Sequence, residues 1–160
     1  MPRSSESPSP DGAGPNGGKA WLRDPHFIVA ALAALPVWLV LGLAFGDRLR
    51  PAVGPGGWIS FVLLQPVLEE FVFRGLLQGL LLRWTARAAA GPVTLANIGA
   101  TVAFVAVHFV YQPIGWALAV AIPSLVFGHL RERFGKVAPA MALHALYNAG
   151  FAVTAWLAQH

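Results

Sequence analysis

Leu68-Glu69-Glu70-Phe71-Val72-Phe73-Arg74-Gly75 sets two adjacent carboxylates and a guanidinium inside an apolar stretch of membrane length. No other formal charge occurs between Pro51 and Leu82. One charged side chain at a bilayer centre costs roughly 2.5–3.5 kcal/mol on insertion scales, so three facing lipid would cost several times that. They must therefore face a protein interior or a wet cavity, and an ionisable residue so placed marks a functional site. Glu70 and Arg74 are four residues apart, which stacks them on one helix face in the favourable acid-first order. Glu69 points about 100° away and lacks that partner. One tied carboxylate beside one free carboxylate is the combination that general-base chemistry needs. Packing alone would not require the second glutamate.

The whole chain has the same character. Of its 160 residues, 56% are hydrophobic and 11% are charged. A soluble domain carries about 25% charged residues, so an all-α polytopic transmembrane helix bundle is expected, with about five spans in one domain. The absence of cysteine excludes disulfides and thiolate metal sites. The net charge of +4 resides in loops between apolar segments. It reads as a topology signal and as contact with an anionic lipid bilayer, not as nucleic-acid binding.

Residues 1–20 are rich in Pro, Gly and Ser and read as a disordered N-terminal tail, not a signal peptide. Residues 21–160 form the transmembrane domain. Spans are expected at 26–46, with a kink at Pro36, and at 58–84, 92–110, 114–129 and 137–158. The third and fourth are separated at Tyr111-Gln112-Pro113, and Arg131 to Lys136 form a polar loop. Strands are not expected, because the apolar runs are continuous and do not alternate. Arg3, Lys19, Arg23, Arg83, Arg87, Arg131, Arg133 and Lys136 fall on one side of this arrangement, and Arg48 and Arg50 on the other. By the positive-inside rule the N-terminus is cytoplasmic. Gly75 and Gly79 read as a site of close helix contact. His129 reads as interfacial, and Tyr147 as a packing residue.

Among the further polar residues within the spans, three stand out, while Gln65 and Asn97 suggest no role. His108 follows Phe104 by one turn in the third, and His144 and Asn148 share a face of the fifth. A single histidine in an apolar helix is most often a satisfied packing group. Two histidines and an asparagine at helical spacing, together with an acidic pair, point to a polar cavity.

Glu-Glu-x-x-x-Arg (Glu69, Glu70, Arg74), Phe-x-x-x-His (Phe104, His108) and His-x-x-x-Asn (His144, Asn148), in this order, resemble the motifs of the CAAX-protease and bacteriocin-processing (CPBP, or Abi) family of intramembrane endopeptidases, of the CAAX prenyl protease 2 type. The segment Ser124–Gly135 is similar to the family's short Gly-containing connection, and the likeness runs from about Trp58 to Asn148. The resemblance implies that Glu69 is the general base that activates water for attack on a peptide carbonyl. It implies that His108 holds that water, that His144 and Asn148 stabilise the oxyanion, and that Glu70 and Arg74 support the site. No cofactor is implied on the glutamate-dependent view of the family. There is no His-Glu-x-x-His, although Glu69, His108 and His144 could supply three ligands to a zinc ion.

The expected substrate is a membrane-associated protein or peptide, with C-terminal sorting-signal, bacteriocin or CAAX-like processing as the candidate reactions. The expected setting is a bacterial cytoplasmic membrane. Many relatives have more helices, so so short a chain points to a compact core or to a partner chain or homo-oligomer. A proton- or cation-coupled transporter with Glu69, His108 and His144 as a relay stays open as an alternative, as does a non-catalytic scaffold. Simple counting also sets His108 at the outer end of its span while Glu69 is near mid-membrane.

Overall fold

A computed structural model describes residues 19–50 and 54–160. Most of the expected N-terminal tail lies outside the described residues; Lys19 and Ala20 lead into a short 3-10 turn, Ala20–Arg23.

Asp24 begins the first long helix. Its side chain accepts from the His26 N–H at 2.9 Å, and Pro25 occupies the first helical position, where its missing N–H is harmless. Helix α1 (Pro25–Phe45) continues through Pro36 to Phe45. The second pass, residues 54–84, is one helical run built from five pieces. These are α2 (Gly54–Ile59), a π-helical stretch Ser60–Leu64, α3 (Gln65–Glu70), a second π-helical stretch Phe71–Leu77, and α4 (Gln78–Trp84). The glutamates thus sit at the end of a regular segment with a widened turn on either side.

The third pass differs from the expectation at its start. A small antiparallel hairpin, β1 (Ala89–Ala90) and β2 (Val93–Thr94), turns through Gly91 at φ +65° before α5 (Leu95–His108) begins. Thr94 caps that helix by accepting from the Asn97 N–H. The expectation of no strands therefore fails at this one turn. Fourteen residues of α-helix are about 21 Å long, so α5 stops short of a full crossing, and His108 at its end remains inside the bundle. Its ring lies within electrostatic reach of Glu69, so the two side chains share one site.

The fourth pass is α6 (Ile114–Ala119) and α7 (Ala121–Phe134), and α8 (Ala138–Leu157) is the fifth. Arg131, Glu132 and Arg133, expected in a loop, form the last turn of α7. Gly135 ends that helix in the left-handed conformation, at φ +65°. Among the described residues, two helical segments, Pro25–Arg48 and Ile114–Phe134, are long and apolar enough to cross a membrane.

Side-chain bonds show which ends lie together. Arg133 donates to both Asp24 oxygens at 2.8–3.1 Å, joining the start of α1 to the end of α7. Glu132 accepts from Thr94 and Gln78, each at 2.6 Å, adding the start of α5 and the start of α4. At the opposite end Gln159 donates to Leu49 O. Successive passes therefore alternate in direction, so that α1 and α8 run parallel and α7 opposes both, the three packed through Phe27, Phe127, Leu130, Ala140 and Leu143. Gly79 has open space where a Cβ would be, and Gly75 only ordinary contact, so that pair is not the close approach. The tight positions are Gly128, under the Asn97 amide, and Gly150, under the Trp38 ring.

Candidate active site

Glu70 and Arg74 are fully buried and form the expected i,i+4 ion pair, Arg74 Nε to Glu70 Oε2 at 3.3 Å. A buried guanidinium needs more than one partner. Its Nη2 donates to Ser124 Oγ at 2.9 Å and to Ser124 O at 3.2 Å. Ser124 Oγ in turn donates to Thr101 Oγ1, and the Asn97 amide donates to Leu125 O. The Arg74 guanidinium carbon also lies 5.0 Å from the centre of the Phe104 ring, a cation–π distance. Helices α5 and α7 thereby hold the charge from two sides.

The other Glu70 oxygen, Oε1, is 3.0 Å from His144 Nδ1. A carboxylate only accepts, so Nδ1 carries the proton and donates. That contact fixes the imidazole and turns Nε2 toward Glu69, whose Oε2 is 3.8 Å away. The gap is longer than a hydrogen bond and is one that a water can bridge. Phe127 stacks on the His144 ring with centroids 4.7 Å apart and planes 18° apart, and Phe104 meets it edge-on at 6.1 Å.

His108 is oriented in the same way. Its Nδ1 donates to Phe104 O at 2.8 Å, which leaves Nε2 as a free acceptor. Its ring lies 4.4 Å from that of Phe104 and within electrostatic reach of the Glu69 carboxylate. Glu69 itself is one-third exposed, whereas Glu70 and Arg74 are fully enclosed and His144 is nearly so. Among these groups it is the carboxylate a reactant can reach.

Glu69, Glu70, Arg74, His108 and His144 are thus gathered around Phe104. Asn148 is placed differently. Its amide donates to Phe61 O at 2.8 Å, on the helical run that carries the glutamates. Two clefts of about 260 and 400 Å³ open between α1 and α8 near Gly42 and Leu43, and neither is lined by Glu69, His108 or His144. Among the described residues no three His, Asp or Glu side chains are disposed to hold a metal ion.

Sequence reasoning missed Ser124, Thr101 and Phe127. Ser124 carried a signal, a small hydroxyl in an apolar helix. Phe127 carried none, because its ring contact depends on how α7 packs on α8. Tyr147, read as a packing residue, packs against Phe127 and donates to Ala30 O at 2.8 Å. His129 lies at the charged end, with Nε2 3.0 Å from His26 Nδ1.

Residues 51–150, well over half of the chain, match the family described as Type II CAAX prenyl endopeptidase Rce1-like. The matched region begins before the second pass and ends after Asn148. Neither the curated proteins nor the solved structures include a match to the chain. The chain belongs to the Rce1-like family of type II CAAX prenyl endopeptidases.

Proposed function

We propose that this integral membrane protease hydrolyses a peptide bond of a membrane-associated protein or peptide with a water activated by Glu69. The observation that carries the reading is the division of labour between the two glutamates. Glu70 is fully buried against Arg74 and His144, while Glu69 is one-third exposed and 3.8 Å from His144 Nε2. A carboxylate with no fixed cation is free to take and return a proton.

In this reading a water sits between Glu69 and His108, donating to the carboxylate and to the free Nε2 of His108. Glu69 removes a proton as the water oxygen bonds to the carbonyl carbon. The carbonyl oxygen becomes an oxyanion, which His144 Nε2 stabilises when protonated, its ring held by Glu70. Glu69 then returns the proton to the leaving amide nitrogen as the C–N bond breaks. The products are a carboxylic acid and an amine, the acid's proton then passing to the amine or to water, and no step runs through a metal.

The substrate reading stays at membrane-associated chains, with CAAX-like, bacteriocin or sorting-signal processing as candidates. We place the protein as a multi-pass protein of a bacterial cytoplasmic membrane with its N-terminus inside. The basis is the run of cations at the end that carries Asp24, the hairpin and Arg131–Lys136. A partner chain or a second copy belongs to the same proposal.

The test is cleavage of a membrane-anchored peptide library by purified protein, beside proton flux in proteoliposomes. Cleavage lost in Glu69→Gln supports the reading. Proton flux lost in that variant, with no cleavage by either form, would support the relay instead.

A further inference from the structure

Asn148 lies one turn beyond His144 on α8, yet its amide is bonded to the backbone of another helix. The reason lies in Pro66. In π-helical geometry the N–H of residue i+5 serves the C=O of residue i. Gln65 N–H accordingly donates to Ser60 O. The next carbonyl in the series, Phe61 O, would take its bond from residue 66, and a proline has no N–H. Its α-helical alternative, the Gln65 N–H, is already engaged. Phe61 O is therefore an orphan within its own helix, in a segment where an unpaired backbone group carries a severe penalty. Asn148 supplies the missing donor at 2.8 Å.

We propose that Asn148 is a positioning residue for Glu69: it caps the carbonyl that Pro66 orphans and so holds the widened turn that sets the register of Gln65–Glu70. The proposal rests on the reading of Glu69 as the base. Glu69 and Glu70 differ by about 100° around the helix axis. A slip of one residue at Ser60–Leu64 would carry Glu69 out of the gap facing His144 Nε2. One of the two Asn148 amide hydrogens is thereby spent on the backbone of Phe61.

The test is a double-mutant cycle on the full chain in bilayer nanodiscs with a membrane-anchored peptide substrate. It compares Asn148→Ala, Pro66→Ala and the double variant, with Glu69→Gln alongside. Asn148→Ala should lower kcat on the order of 10- to 100-fold with KM little changed. It should also raise amide hydrogen exchange across residues 59–70. Pro66→Ala restores an N–H to the turn, so adding Asn148→Ala to it should cost no more than about threefold. A donor that acts on the oxyanion alone would give the same large loss in both backgrounds, and that result overturns the proposal. Unchanged exchange at 59–70 in Asn148→Ala also overturns it. If Asn148→Ala does not fold, recovery of folding in the double variant supports the proposal and its absence contradicts it. Full cleavage by Glu69→Gln would instead remove the reading of Glu69 as the base, while the exchange data report separately on the turn.

Discussion

His144 Nδ1 and Glu70 Oε1 lie 3.0 Å apart across the interface of α3 and α8, although 74 residues separate them in sequence. The contact joins the first motif to the last. It gives Glu70 two basic partners, Arg74 and His144, and leaves Glu69 with neither at bonding distance. The chemistry proposed for Glu69 depends on that asymmetry.

Removing one member of a buried ion pair leaves an uncompensated charge. Glu70→Gln should therefore lower stability by about 3–5 kcal/mol, read as reversible unfolding in mixed micelles. Glu70→Gln combined with Arg74→Met should recover most of that loss yet stay inactive, because His144 no longer has its anchor.

His108 is held by Phe104 through a hydrogen bond and a ring contact, and its Nε2 is left as an acceptor. His108→Ala should lower kcat by about 10²- to 10⁴-fold with an unchanged unfolding midpoint. Phe104→Ala should instead cost about 3–5 kcal/mol of stability, since the ring packs against Phe73, His108, His144 and Arg74.

The hydrogen bonds from Arg133 hold the Asp24 carboxyl below its ordinary value. A lowered folded-state pKa contributes stability at pH above the unfolded value, near 3.9, and loses it as pH falls through the folded value. The unfolding midpoint should drop over that acidic window. Asp24→Asn should flatten the drop, and high salt should reduce it because the pair faces solvent.

Glycines separate in the same measurement. Gly150→Ala drives a methyl into the Trp38 ring and should cost about 1–3 kcal/mol. Gly79→Ala has open space and should be neutral or stabilising by up to about 1 kcal/mol.

The helical membrane bundle was legible because charge-free runs of membrane length follow from composition alone. The polar cluster was legible because buried charges are rare enough to stand out. Chain ends of elements were less so. Thr94 and Gly135 carried cap signals that place the start of α5 and the end of α7. The apolar runs beside them continue across those boundaries and masked both. The π-helical turns had one clue, Pro66, whose missing N–H matters only once a neighbouring helix offers a donor. Links such as Arg133 to Asp24, 109 residues apart, depend on tertiary packing and have no local signal.

In the proposed mechanism Glu69, and no metal, activates the water. The most direct measurement is cleavage of a membrane-anchored peptide by wild-type and Glu69→Gln protein, each with and without a strong chelator. Cleavage by the wild type should be unchanged by chelator and abolished in Glu69→Gln. Cleavage that chelator abolishes and zinc restores, or that survives in Glu69→Gln, would contradict that mechanism.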